Sequence, residues 1–284
     1  MAYKSIDVQP VSGALGAEVL GADLTQDLDN ETWDDIHQAF LDHIVLIFRD
    51  QDLSIERHKE VGRRFGPLHL HPLVKTKIPE HPEILLVEKE ADEKVAAGGV
   101  WHSDVSFGQE PPLGSLLYAE VLPPYGGDTM WANQYLAYET LSDGMKAMLE
   151  GLNALHGMTS YWQKDGPRHG DQKRTVNIDF DKVAAMEPAV HPIVRTHPET
   201  GRKALYINPA FTMHIEGMTE EESKPILDYL YKHSTRPEFT CRLRWSPGTL
   251  GIWDNRCTMH LPINDYAGHR RRMRRVTVQG DRPH

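Results

Sequence analysis

The chain has 284 residues, of which 25% are charged and 39% hydrophobic, and its formal net charge is -10. These proportions are ordinary for a globular protein, and the length lies within the range of one large β-sandwich or barrel. The negative charge argues against a general nucleic-acid binder, although a pocket can still bind a small anion through local basic groups. We therefore expect a single domain spanning residues 1–284, with no nucleic-acid partner.

The cysteine content and the apolar runs predict where the protein resides. The two cysteines, Cys241 and Cys257, do not follow the spacing of a zinc or disulfide framework. The N-terminus lacks the apolar segment of a signal peptide, and no apolar run approaches the length of a membrane span. These features predict a cytoplasmic protein without a membrane partner.

Taken in chain order, the hydrophobic pattern predicts many short strands and few helices. Strands are expected within 7–24 and at 44–48, 84–87, 101–107, 113–121, 239–245, 250–253 and 274–278. Helices are expected at 30–42, 54–65 and 141–152, and after the capping box formed by Thr219 and Glu222. The polar segment 160–188 is expected to be an irregular lid, because long loops in compact domains are usually functional. Together these elements favour a mainly β sandwich or jelly roll with flanking helices.

The tripeptide His102-Ser103-Asp104 and the distant His260 form a candidate metal site. Residues two apart on a strand point to the same side, so His102 and Asp104 would both face one ion. Two imidazoles and one carboxylate on one face of Fe(II) leave three positions open for oxygen chemistry. A His-x-Asp tripeptide is expected about once by chance in such a chain, so a surface loop is an equal alternative from this tripeptide alone. A structural zinc site is a further alternative, although such sites usually take four ligands with cysteine among them.

Two arginines near the C-terminus, Arg271 and Arg275, would share one face of a strand. A 2-oxo acid chelates iron through its keto oxygen and adjacent carboxylate, and a second, distant carboxylate needs a buried cation. The bidentate fork of arginine suits that role better than lysine. A solvated basic cluster at 270–275 is the alternative interpretation.

Six short motifs follow one another along nearly the whole chain. They are GAEVLGADL at 16–24, FRDQ at 48–51, RFG at 64–66, WHSD at 101–104, GGDT at 126–129 and WDNR at 253–256. In this order they resemble the Fe(II)/2-oxoglutarate-dependent dioxygenases of the taurine dioxygenase and chlorophenoxyacetate dioxygenase family. The resemblance implies a double-stranded β-helix, which is a cupin-like jelly roll, and a homo-oligomer such as a dimer or tetramer. It also implies Fe(II) as cofactor, with 2-oxoglutarate and O2 as cosubstrates.

The same resemblance assigns roles around the metal. It implies that His102, Asp104 and His260 bind the iron, and that Thr129 and Arg271 clamp the distal carboxylate of 2-oxoglutarate. Arg275 matches an arginine that reaches the anionic groups at the metal, including those of the substrate. Related halogenases lack the carboxylate of Asp104, so its presence implies hydroxylation, with succinate and CO2 as coproducts.

The resemblance also places a substrate pocket beside the metal. It implies that His71 and Arg275 bind the anionic head group, that the backbone N–H of Val105 joins them, and that Trp162 and Phe211 line the same pocket. The alternative for His71 is a histidine that only packs under a loop.

Two departures from the taurine enzymes bear on the substrate. Gly98 stands where they have an asparagine near the substrate amine, and Val74 stands where they have a tyrosine. We therefore expect a small anionic substrate whose far end is less polar than that of taurine. A taurine-like alkylsulfonate, giving sulfite and an aldehyde, is favoured over an alkyl sulfate ester or an aryloxyalkanoate.

Residues 216–225 and 265–268 resemble the aryloxypropionate-cleaving branch. A carrier-bound or amino-acid substrate and a non-catalytic jelly-roll binding protein for small anions remain as alternatives.

Overall fold

The computed structural model describes residues 3–74, 76–94, 98–157 and 179–284. Its strands are β1 Asp7–Pro10, β2 Ala17–Leu20, β3 Val45–Phe48, β4 Leu85–Lys89, β5 Gly114–Val121, β6 Thr129–Asn133, β7 Asn153–His156, β8 Ala189–Pro192, β9 Val194–Thr196, β10 Lys203–Leu205, β11 Thr212–Ile215, β12 Thr240–Leu243, β13 Leu250–Asp254, β14 Thr258–Pro262 and β15 Arg271–Val278. Its helices are α1 Asn30–His43, α2 Ile55–Arg63, α3 Gln134–Glu139, α4 Asp143–Leu149, α5 Phe180–Ala185 and α6 Glu220–Ser234, with a 3-10 turn at Pro237–Phe239. The chain is mainly β, as predicted.

Two sheets face each other across an apolar core. The larger sheet has the strand order β1-β2-β3-β13-β5-β15-β4, and a second sheet has the order β12-β6-β14. Trp131 of β6 and Leu243 of β12 pack with Ile47, Leu117 and Trp253 of the larger sheet. This sheet-on-sheet packing is the arrangement that a jelly roll requires.

The outer face of the larger sheet is covered by α1. Its buried residues are Trp33, Ile36, Ala39 and Phe40, spaced three or four apart so that they share one helical face. They join the cluster that contains Phe48. Within the described ranges, no helix combines the length and the apolar character needed to cross a bilayer.

The prediction of a strand at 101–107 is wrong. His102 forms an isolated bridge with His260, and residues 104–107 form a turn in which Val105 has a φ of 50°. Buried hydrogen bonds hold this turn: Ser106 Oγ accepts from Asn208 Nδ2 at 2.9 Å, and the Ser106 carbonyl lies 3.1 Å from His191 Nε2. Because these partners satisfy the polar groups of the turn, the extended preference of its residues is overridden.

Other differences concern the middle of the chain. The helix predicted at 141–152 ends at Leu149, Gly151 follows with a φ of 79°, and the next residues form β7. Glycine adopts this left-handed conformation at no steric cost, which suits a helix-to-strand break. Part of the predicted irregular lid is the helix α5. Residues 160–178 of that segment, including Trp162, lie outside the described residues.

Candidate active site

One cavity between the two facing sheets gathers the predicted site residues. Its lining includes His71, Val74, Gly98, His102, Asp104, Val105, Thr129, Phe211, His260, Arg271 and Arg275. The cavity is open to solvent at its mouth, and a few polar and charged groups converge within a mainly apolar lining, which is typical of a small-molecule site. All predicted site residues except Trp162, which is outside the described ranges, therefore meet in one place.

His102, Asp104 and His260 converge in this cavity. The Nε2 atoms of His102 and His260 lie 3.8 Å and 4.0 Å from Asp104 Oδ1. A transition-metal ion sits about 2.0–2.2 Å from such nitrogen and oxygen ligands, so two ligand atoms of one ion are at most about 4.4 Å apart. Both separations satisfy this limit, and all three side chains are buried. The donor set therefore fits a single iron ion.

The two histidines are in the protonation state that a metal ligand needs. His102 Nδ1 lies 2.7 Å from the carbonyl oxygen of Val100. Because a carbonyl only accepts, Nδ1 carries the proton and the lone pair of Nε2 is directed toward the site. Burial, followed by the neighbouring His102, holds the pKa of His260 well below its usual range, so His260 is neutral.

The carboxylate of Asp104 is held on both oxygens. Its Oδ2 accepts from Ser115 Oγ at 2.7 Å, and its Oδ1 accepts from Arg275 Nη1, also at 2.7 Å. Burial alone would raise the pKa of Asp104, but the charge of Arg275, the neighbouring imidazoles and the Ser115 hydrogen bond lower it overall, so the carboxyl is ionised. Ser115 could not be identified from the sequence, since its contact with Asp104 depends on how β5 packs under the turn.

Arg275, predicted to reach anionic groups at the metal, thus pairs with the candidate ligand Asp104. Its Nε has no hydrogen-bond partner in the described part of the chain. Because Arg275 pairs with Asp104 and also lines the cavity, this guanidinium can bind an anion beside the candidate metal group.

Arg271 presents a buried positive charge to the same cavity. It is 4% exposed, and its Nε and Nη2 find no hydrogen-bond partner among the described residues. Thr129, also buried, accepts from Trp245 Nε1 at 3.0 Å and keeps its own hydroxyl proton to donate. A Cβ at Gly127 would lie 3.1 Å from Arg271 Cδ, so this glycine leaves room for the arginine. A buried unpaired guanidinium is costly unless an anion joins it.

His71 offers a neutral N–H group. Its Nδ1 accepts from the backbone N–H of Leu73 at 3.1 Å and of Val74 at 3.0 Å, so the proton sits on Nε2. Burial, followed by the charge of Arg275, lowers the pKa of His71 to about 3. The imidazole is therefore uncharged at neutral pH and can donate one hydrogen bond to an anion.

The rest of the cavity wall is apolar. It is formed by Leu73, Val74, Leu85, Leu86, Val87, Val105, Phe107, Leu117, Phe211, Trp253 and Pro262. Among the described lining residues, Asp104 is the only carboxylate and none carries a side-chain amide. An ammonium group in this space would find no free acceptor side chain on the described wall.

Gly98 has a role that the sequence did not reveal. A Cβ built at this position would lie 2.8 Å from Cε1 of His102, and the φ of Gly98 is 77°. Glycine here therefore leaves space for a candidate iron ligand, besides removing polar reach toward a substrate.

We expect Gly98→Ala to displace His102 and to weaken Fe(II) binding about 10- to 100-fold, the usual effect of disturbing the support of a metal ligand. The control is Gly217→Ala, whose φ of 78° gives the same backbone strain in open space. Anaerobic Fe(II) titration of both variants measures the effect, and equal losses in the two would contradict it.

A second group of potential ligands, His197, Asp254 and Cys257, is also buried. The Nδ1 of His197 accepts from the backbone N–H of Thr200 at 3.2 Å, so Nε2 carries the proton and donates to Asp254 at 3.0 Å. Arg256 also pairs with Asp254, at 2.7 Å. Because neither imidazole nitrogen has a free lone pair, this group is a structural hydrogen-bond network and not a zinc site.

Comparison with known proteins identifies the family. The model of the family described as "Taurine catabolism dioxygenase TauD, TfdA family" matches residues 7–277. The chain belongs to this family. It is therefore a 2-oxoglutarate-dependent dioxygenase that uses Fe(II) and O2, and the predicted resemblance, enzyme class and jelly-roll fold are confirmed. The alternative of a non-catalytic binding protein is set aside.

Three similar proteins illustrate the range of the family. The chain is 33% identical to an "Alkylsulfatase" of Acinetobacter baylyi, over 98% of this chain and 86% of that protein. It is 34% identical to an "Alpha-ketoglutarate-dependent sulfate ester dioxygenase" of Pseudomonas putida, over 98% of this chain and 91% of that one. A crystal structure of a taurine dioxygenase from Burkholderia xenovorans superposes with a TM-score of 0.81 at 37% identity, covering 99% of this chain and 93% of that one.

Proposed function

We propose that this dioxygenase hydroxylates the carbon next to the anionic head group of an alkylsulfonate or alkyl sulfate ester with an apolar chain. One observation carries the proposal: the hydrogen-bond donors His71 and Arg275 stand beside the candidate metal group, whereas the remaining wall is apolar. The hydroxylated carbon loses its head group as sulfite or sulfate and becomes an aldehyde. Succinate and CO2 form from 2-oxoglutarate in the same turnover.

In this proposal His102, Asp104 and His260 hold the iron, which supplies the oxygen-activating redox chemistry when bound. The ionised Asp104 offsets part of the charge of the metal, and Ser115 keeps its carboxylate oriented. Arg271 and Thr129 hold the distal carboxylate of 2-oxoglutarate and thereby orient its keto acid end toward the three ligands. His71 Nε2–H and Arg275 hold the substrate head group, so that the adjacent carbon lies beside the metal.

Taurine itself should fit this cavity less well than an alkylsulfonate with an apolar chain, in line with the prediction from Gly98 and Val74. Its ammonium would be placed against the apolar wall, near Gly98 and Val74, and desolvating a charge without a partner is costly. Two of the similar proteins are named for sulfate esters, which supports the sulfate ester as one of the two head groups.

Succinate formation across a substrate panel tests the proposal. The panel contains hexanesulfonate, hexyl sulfate, taurine and phenoxyacetate. We expect kcat/KM for at least one hexyl compound to exceed that for taurine by about 10-fold or more, because a site without a partner for an amine discriminates against it. Succinate formation with taurine alone, or with phenoxyacetate alone, would refute the proposed substrate class.

We further infer that residues 1–284 act as one dioxygenase domain. Strands from both ends of the chain interleave in the larger sheet, where β13 pairs with β3 and with β5. The dimeric or tetrameric state and the cytoplasmic location stay predictions.

A further inference from the structure

Lys89, the last residue of β4, is a buried cation that the mechanism above does not use. It is 2% exposed, and its Nζ has no hydrogen-bond partner in the described part of the chain. The ammonium lies 4.5 Å from the centroid of the Tyr266 ring. Lysine is almost never fully buried unless it is paired, so this position calls for an anion.

The position of Lys89 relates it to Arg271. The two residues are directly opposite in the pairing of β4 with β15, and opposed residues of an antiparallel pair project to the same face. Both line a small cavity with Tyr266, and this cavity shares Val87 and Arg271 with the main one. Two buried cations with unpaired donors thus stand side by side behind the main cavity.

The acidic groups near these cations are engaged elsewhere. Glu88, which also lines the small cavity, pairs with Lys77 at 2.8 Å, and Asp128 pairs with Arg242 at 2.7 Å. Glu93 accepts from the backbone N–H of Glu90 at 2.8 Å. None of these carboxylates hydrogen-bonds Lys89 within the described residues. The positive charge is therefore left for a ligand.

We propose that Lys89 is a second cation for the distal carboxylate of 2-oxoglutarate and binds it together with Arg271. The proposal rests on the role assigned to Arg271 above. One carboxylate has two oxygens and can accept from a guanidinium and an ammonium at once. Lys89 would then contribute to the selection of a dicarboxylic over a monocarboxylic 2-oxo acid.

The test compares two ligands and several variants in the Mn(II)-loaded protein without oxygen, where no turnover takes place. Calorimetry gives the Kd of 2-oxoglutarate and of 2-oxopentanoate, which has the same chain length without the distal carboxylate. We expect Lys89→Met, which keeps the length of the side chain, to raise the Kd of 2-oxoglutarate about tenfold or more and to leave that of 2-oxopentanoate unchanged. Lys89→Arg keeps the charge and should retain most of the affinity for 2-oxoglutarate.

An equal weakening of both ligands in Lys89→Met would show a packing role, and an unchanged Kd of 2-oxoglutarate would show that Lys89 takes no part. Either result overturns the inference. If Lys89→Met does not fold, Lys89→Gln carries the same comparison. A wild-type protein that binds both ligands equally well would instead overturn the role proposed for Arg271, so the two failures are distinguishable.

Discussion

Replacing His260 with alanine is expected to lower the rate of succinate formation by at least about 1,000-fold. Changes to the supporting partners of a metal ligand already cost about 10- to 100-fold, and the loss of one of three ligands removes more. His260 Nε2 lies 4.0 Å from Asp104 Oδ1, and within the described residues the candidate metal group contains only one other imidazole, that of His102. Iron content after anaerobic loading should fall together with the rate.

The matched control is His214→Ala. His214 also lies on a strand, β11, and it is not part of the cavity lining. It should retain both iron and activity. A His260→Ala protein that keeps full iron content and a wild-type rate would rule out the proposed ligand set.

Replacing Arg271 with methionine is expected to raise the KM for 2-oxoglutarate by about 30-fold or more. Truncating one partner of a buried charge pair costs about 2–5 kcal/mol, because the other charge is left buried without a counterion. The same substitution should not destabilise the ligand-free protein. Its free energy of unfolding should stay level or rise, since the variant no longer buries a guanidinium whose Nε and Nη2 lack partners.

Arg272→Met is the control for this second prediction. Arg272 is the next residue of β15, points to the other face and pairs with Glu120 at 2.8 Å in a partly exposed position. The KM of the Arg272→Met variant for 2-oxoglutarate should stay within a few-fold of the wild-type value. Kinetic assays with varied 2-oxoglutarate, together with urea unfolding of the ligand-free proteins, measure both effects. Equal KM values for the two variants would contradict the role of Arg271.

Much of the candidate site could be predicted from the sequence, partly from strand alternation and partly from the resemblance to the dioxygenase family. Arg271 and Arg275 are four apart on a strand, so the alternation of side chains placed both in one cavity. The sequence predicts the convergence of His102 and Asp104 from strand alternation, which is not what brings them together. Their geometry comes from a bridge followed by a turn and not from two positions on one strand.

What could not be predicted depends on contacts between segments that are distant in the chain. Ser115 supports Asp104 only because β5 passes beneath the turn. Lys89 ends a strand whose sequence, Leu85–Lys89, gives no sign that the lysine is buried opposite Arg271. In the sequence, Gly98 is visible only as the loss of an asparagine side chain relative to the taurine enzymes. Its closeness to His102 becomes visible only in three dimensions.

The most direct test of the proposed iron site is an anaerobic titration of the protein with Fe(II) and 2-oxoglutarate, followed by visible absorption. If His102, Asp104 and His260 hold the iron and the keto acid chelates it, the wild type should develop a charge-transfer band that saturates at one iron per chain. The His102→Ala variant should show no such band. A wild type without the band, or a His102→Ala variant that retains it, would contradict the account.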